Sequence, residues 1–205
     1  DDGVVKAIDQ GLINSVAAFA NGNNGTERLK RLAQLQDKAD VGCHITITSG
    51  RPLTDADMFY EQDGNYKYFR KFTQLERPNN AAAQAKAKQQ LKKEINAQID
   101  LMFDAGINVK HLSSHHNSLI FFPEYFEAQV EVARDRGIKL RSTSIIPEGK
   151  NNLYIAQLAV RSLDNLGIKN AAQLFTFMRR IDDWKNGYNE PIPPMPDAID
   201  GSHYG

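Results

Sequence analysis

Five histidines, at positions 44, 111, 115, 116 and 203, and an acidic pair, Asp1-Asp2, are the residues of this sequence best suited to chemistry. His115 and His116 stand together in Ser113-Ser114-His115-His116-Asn117, directly after an apolar stretch, while His44 alternates with Thr46 and Thr48. One carboxylate with two imidazoles is a donor set suited to Zn²⁺ or another first-row divalent ion. The acidic pair, His44 and the His115-His116 dyad together supply such a set. An isolated histidine is more often structural, so each candidate depends on where the chain places it.

The elements that must do the placing are read from pattern and punctuation. Residues 12–20, rich in β-branched and aromatic types, predict a strand that ends at the turn signal Asn21-Gly22-Asn23-Asn24-Gly25. Thr26 is expected to cap a helix whose apolar face is Leu29, Leu32 and Leu35. Residues 41–48 predict a second strand, with Cys43, Ile45 and Ile47 on one face and His44, Thr46 and Thr48 on the other. Gly50-Arg51-Pro52 breaks it. The polar stretch that follows, with Tyr60, Tyr66, Tyr68, Phe69 and Phe72, is expected to hold little regular structure. It reads either as a lid or binding loop or as a surface loop pinned by its own aromatics.

A long helix is predicted over 80–104, lined by Leu91, Ile95, Ile99 and Met102 and stopped at Gly106. A strand over 107–112 follows, then a helix over 123–136 with Phe126, Val130 and Ala133 inward, then a strand over 138–146. Beyond Gly149, a helix is predicted over 171–185 and an extended Pro-rich stretch over 190–196. This alternation predicts a parallel β/α protein, open sheet or barrel. Sites in such folds form at the carboxyl ends of strands, where His115 and His116 fall.

The 205 residues fit one domain. Lys plus Arg and Asp plus Glu are 25 each, so the formal charge is zero. That balance argues against a general nucleic-acid or membrane-surface binder and favours a small, neutral partner. No apolar run reaches the length of a membrane span, and no basic-then-apolar leader opens the sequence. The single Cys43 forms no internal disulfide, which suits a reducing compartment, so a cytoplasmic protein is expected. A homo-oligomeric state stays open.

Several segments together resemble one known family. Asn21-Gly22, then Val41-Gly42-Cys43-His44-Ile45-Thr46-Ile47-Thr48, then Gly50-Arg51-Pro52-Leu53 is similar to its V-G-x-H-x-T-x-T-x-G-R-P-L segment. Glu94-Ile95-Asn96-Ala97-Gln98-Ile99 with Gly106-Ile107 is similar to its E-x-x-x-Q-I…G-I helix, and His111-Leu112-Ser113-Ser114-His115-His116 resembles its H-L-D-S-H-H element with one change. The family is the YdjC-like, or ChbG-type, carbohydrate (chitooligosaccharide) deacetylases. The resemblance covers about residues 1–146 in the same order.

The resemblance implies a degenerate (β/α) TIM-like barrel holding one divalent metal ion, Mg²⁺ or Zn²⁺. It implies Asp2, His44 and His115 as ligands and Asp1 as the base. His116 becomes a residue that positions substrate or ligand, and the alternative ligand to His115. Arg141, which resembles the Arg of the family's G-I-x-x-x-R stretch, would tether the base or a substrate oxygen, unless it is a surface strand residue. His203, the histidine left over, is the candidate acid for the leaving amine; its plainer reading is a tail residue. His111 reads best as a strand histidine facing a neighbouring element. The implied reaction removes an acetyl group from an N-acetylated sugar by metal-activated water.

Departures from the family pattern also carry expectations. The barrel's first strand has no counterpart here, and Asp2 runs directly into Gly3. A single domain over 1–205 is therefore expected to have further residues before Asp1 and between Asp2 and Gly3. Ser113 replaces an Asp that would orient an imidazole, and Asn117 and Leu119 stand where later histidines are common. Ser113, Asn117 and the scattered tyrosines support an alternative, a non-catalytic carbohydrate-binding relative. A sugar-phosphate isomerase fits less well, since no Gly-rich phosphate loop opens a helix.

Overall fold

The computed structural model describes residues 2–22, 25–64, 66–71, 74–120 and 122–141. Helix α1, Asp2–Asp9, opens it. Val4, Val5 and Ile8 recur at helical spacing, with Ile8 buried. Asp2 lies inside this helix, at its first residue, where its charge suits the amino end of the helix dipole. Strand β1 is Ser15–Ala18, shorter than the predicted 12–20, because Gly11 adopts φ 68 and ends the preceding turn. Helix α2, Gly25–Ala33, begins one residue before Thr26, so Thr26 sits in its first turn and is not its cap. Strand β2 is Asp40–Ile45.

The stretch expected to lack regular structure forms an antiparallel hairpin, β3 Tyr60–Asp63 with β4 Tyr66–Phe69. Gly64, at φ 56, supports its turn. Helix α3, Ala81–Asp104, starts where Asn80 caps the Ala83 N–H at 2.9 Å. Gly106, at φ 87, turns the chain out of it. Residues 107–110 are spent reaching the sheet, so strand β5 is His111–Ser114 and not the expected 107–112. A 3-10 turn, His115–Ile120, leads to α4, Pro123–Asp135, and to β6, Lys139–Leu140. The predicted strand beyond Arg141, the helix over 171–185 and the Pro-rich stretch lie outside the described residues.

The four strands β1-β2-β5-β6 form one parallel sheet. Among the described residues, β1 and β6 are its two edges. The barrel expected from the sequence is thus present as a partial wall of four strands. Alternation along the strands gives this wall two chemically different faces. Val41, Cys43, Ile45, Leu112 and Leu140 belong to the apolar core with Leu91, Ile95, Ile99 and Met102 of α3 and Phe126, Val130 and Ala133 of α4. Burying each large side chain there contributes about 1.5–3 kcal/mol.

The other face carries two polar rungs. Ser15 Oγ and His111 Nε2 share a hydrogen bond at 3.1 Å, and His44 Nδ1 and Ser113 Oγ another at 2.7 Å. The register of β2 and β5 pairs His44 with Ser113, and the Ser15–His111 bond reaches across β2 from β1 to β5. Gly42 has a steric reason, since a Cβ there would collide with the His111 ring. His111 is thereby a strand histidine held between neighbouring strands. No helix of the described residues is long and apolar enough to cross a membrane.

Candidate functional site

The carboxyl ends of β1, β2 and β5 bring four rings together. Phe19, the residue after β1, sets its ring edge-on to His44 at 5.0 Å and to His115 at 4.9 Å between centroids. The His44 and His115 rings lie 5.4 Å apart, and His115 lies 3.8 Å from His116. His116 is placed by unusual backbone: at φ 55 it is the one non-glycine with positive φ among the described residues. That conformation is uncommon for a non-glycine residue and tends to gather at functional sites. Its Nδ1 shares a 3.1 Å hydrogen bond with Thr48 Oγ1, just past β2.

Burial decides the charge state of these imidazoles. It drives the pKa of His44 down to about 4, with the charges of Arg141, His115 and His116 adding to the effect. His115 is lowered by burial and by His116. Both rings are therefore neutral near pH 7, the form that binds metals or accepts protons. Arg141 stands close enough to depress His44 and His111 electrostatically, and its own N–H donates to Leu112 O at 2.8 Å.

The other expected site residues lie elsewhere. Asp2, in the first turn of α1, is exposed and accepts from Arg31 Nη2 of α2 at 2.8 Å. The hydrogen bond and charge of Arg31 hold its carboxyl below the ordinary value. Asp1 and His203 fall outside the described residues. Among the described residues, no three of His, Cys, Asp and Glu are grouped so as to hold a metal ion. The structure thus assembles His44, His115 and His116 with Arg141 nearby, and sets Asp2 apart on its own ion pair.

Of the expected ligands, the structure brings the two imidazoles together, and among the described residues no third His, Cys, Asp or Glu completes a metal-holding group with them. His44 and His115 are neutral and adjacent, and Ser113 engages Nδ1 of His44, which leaves Nε2 as the ring's other donor. Ligating histidines commonly have their second nitrogen held in this way. Of the acidic pair, Asp2 is held by Arg31 and is not gathered beside them. Sequence reasoning missed Phe19 as a wall of the site. The available signal was its place at the end of a strand, just before Asn21-Gly22. Thr48 was placed on the His44 face, but its bond to His116 spans 68 residues and has no local signature.

The histidines gather at the carboxyl ends of a parallel sheet, the place where α/β folds form their ligand sites. The family model described as YdjC-like protein matches residues 1–192, and the chain belongs to that family. It is 26% identical over 147 residues to a carbohydrate deacetylase of Listeria monocytogenes, covering 71% of this chain and 56% of that protein. A carbohydrate deacetylase of Clostridium beijerinckii is 24% identical over 200 residues, covering 97% of this chain and 76% of that one. The aligned part thus spans little more than half of the Listeria relative. A crystal structure from Enterococcus faecalis V583, named for a proposed role in cellobiose-phosphate cleavage, superposes with a TM-score of 0.58. It shares 20% identity over 78% of this chain and 59% of the other. That likeness shows a shared α/β fold.

Proposed function

We propose that this protein is a hydrolase that removes the acetyl group from an N-acetylated, chitooligosaccharide-like sugar, with His44 and His115 as two ligands of a Zn²⁺ or Mg²⁺ ion. The observation that supports it best is the pair of neutral, adjacent imidazoles at the carboxyl ends of β2 and β5 in a YdjC-like chain. When bound, the ion would supply Lewis acidity toward an amide carbonyl and its attacking water. Asp2 is the proposed third ligand, and joining the imidazoles requires it to leave Arg31. Asp1 is the proposed base that takes the proton of water, and His203 the acid that protonates the amine as the C–N bond breaks. His116 and Arg141 would face the sugar, and Phe19 offers an apolar ring beside them.

The test is acetate release from N-acetylglucosamine oligomers, phosphorylated and unphosphorylated, by the chain loaded with Zn²⁺ or Mg²⁺. Release that falls at least ~100-fold in both His44→Ala and His115→Ala is expected, a scale in keeping with loss of metal-assisted catalysis. A metal-loaded chain that releases no acetate from any of them rejects the proposal. One observation favours the second reading, a carbohydrate-binding relative without catalysis: the Asp2–Arg31 pair occupies the carboxylate that the chemistry needs. Asp1→Asn separates the two, because a binder keeps all of its sugar affinity and has no turnover to lose.

A further inference from the structure

Glu94 and Gln98, one turn apart on α3, are fully buried and take no part in the site described above. Both reach the segment that leaves β2. Gln98 grips both backbone groups of Thr46. The Thr46 N–H donates to Gln98 Oε1 at 3.1 Å, and Gln98 Nε2 donates to Thr46 O at 2.8 Å. Gln98 Nε2 also donates to Glu94 Oε1 at 2.9 Å. Glu94 accepts the Leu53 N–H at 3.1 Å on either oxygen, the Thr54 N–H at 3.0 Å and Thr54 Oγ1 at 2.7 Å.

The residue types follow from donor and acceptor accounting. Thr46 requires an acceptor for its N–H and a donor for its carbonyl, which fixes the Gln98 amide in one orientation. The remaining Gln98 N–H then points at position 94, which must accept on that oxygen while its other oxygen accepts from Thr54. Only a carboxylate does both, since a glutamine amide would set its NH₂ against a donor. A buried charge is tolerable here because donors surround it.

This grip continues into the imidazole cluster. Thr46 Oγ1 accepts the N–H groups of Thr48 at 3.3 Å and Ser49 at 3.1 Å, and donates to Ser49 O at 3.2 Å. Thr48 Oγ1 in turn bonds His116 Nδ1, and the His116 ring lies 3.8 Å from His115. We infer that Glu94 and Gln98 are positioning residues: they clasp residues 46–54 onto α3 and, through Thr48, set the orientation of His116 against His115. The inference deepens the proposed function, and only its metal arm rests on that reading.

The experiment follows ring ¹⁵N resonances of the histidines in the metal-free chain. Glu94→Gln is expected to move the His116 and His115 signals and to leave those of His111, held by Ser15, in place. Thr48→Val cuts only the last link and should reproduce the His116 shift. Ile95→Val, buried on the same helix, should lower stability and leave the rings unmoved. Zn²⁺ affinity in Glu94→Gln should fall ~10-fold or more, as when groups behind ligating histidines are lost. If Glu94→Gln does not fold, Thr54→Val, which removes one bond to Glu94, decides through a His116 shift smaller than that of Thr48→Val and of the same sign. A folded variant with unmoved His116 and His115 signals overturns the clasp, as does an equal displacement of His111. An unaltered chain that binds no Zn²⁺ overturns the metal reading alone and leaves the ring measurement to judge the clasp.

Discussion

Ser113 occupies a position where the resembling pattern carries an aspartate, and its consequence is local to His44. Its hydroxyl engages Nδ1 of His44 at 2.7 Å but brings no charge to offset the burial that drives the ring down to about 4. Ser113→Asp would place a carboxylate against the same nitrogen, which favours the protonated ring and also makes the imidazole a more basic ligand. The expected outcome is a His44 pKa raised from about 4 toward its ordinary value, seen in an NMR titration of the metal-free chain. Zn²⁺ binding at pH 7.5 should tighten ~10-fold in calorimetry. Stability should fall, because Ser113 is 1% exposed and an added charge there loses its water. At this scale the sequence disclosed position, since His44, His115 and His116, read at strand ends, bring their rings together there. The pairing of Asp2 with Arg31, 29 residues on in the next helix, had no local signal, nor did the meeting of Phe19 with the histidines, which depends on three strand ends converging.

Helix α3 shows which part of an element carries its weight. Leu91, Ile95, Ile99 and Met102 are all fully buried against the sheet and α4. Its outer side is joined to α4 by Lys88 with Glu127 and Glu131 and by Lys92 with Glu131, and to the residue just past α4 by Asp100 with Arg136. Such partly exposed pairs contribute little, since water screens them and two long side chains lose freedom. Ile99→Ala should therefore cost about 2–5 kcal/mol in urea unfolding, from lost transfer energy and the cavity left behind. Lys92→Ala should cost under ~1 kcal/mol, and the Lys92 effect should shrink further in high salt. The same contrast explains which elements the sequence disclosed. The apolar stripes of α3 and α4 are regular and long enough to set their bounds to within a residue or so. The hairpin of β3 and β4 was missed because Glu61, Gln62, Asp63 and Lys67 give four-residue strands no apolar alternation. Strand β5 was displaced because Ile107 and Val109 are buried without pairing as strand.

Across the whole molecule, the parallel wall separates an apolar face packed on α3 and α4 from a polar face that holds histidines. The order of strands and helices predicted this layering; closure of a barrel was not readable from the order alone. Placing histidines on that face ties global stability to pH. His44 is held neutral at about 4 in the folded chain and titrates near 6.5 when unfolded, so between those values the unfolded state binds the extra proton. The stabilising effect of its neutral state is complete above about 6.5 and is lost progressively as pH falls to about 4. His115 and His111, both lowered by burial, act with the same sign. Discounted for the partial exposure of the ring, His44 alone should account for roughly 1–2 kcal/mol of that loss. Urea unfolding with chelator present, at pH 7.5 and pH 4.5, measures it. His44→Asn should keep a polar partner for Ser113 while removing the titration, so its stability should fall less between the two pH values than that of the unaltered chain. Equal acid losses in the two proteins would show that His44 binds its proton as readily folded as unfolded, and the lowering of its pKa by burial would be overturned.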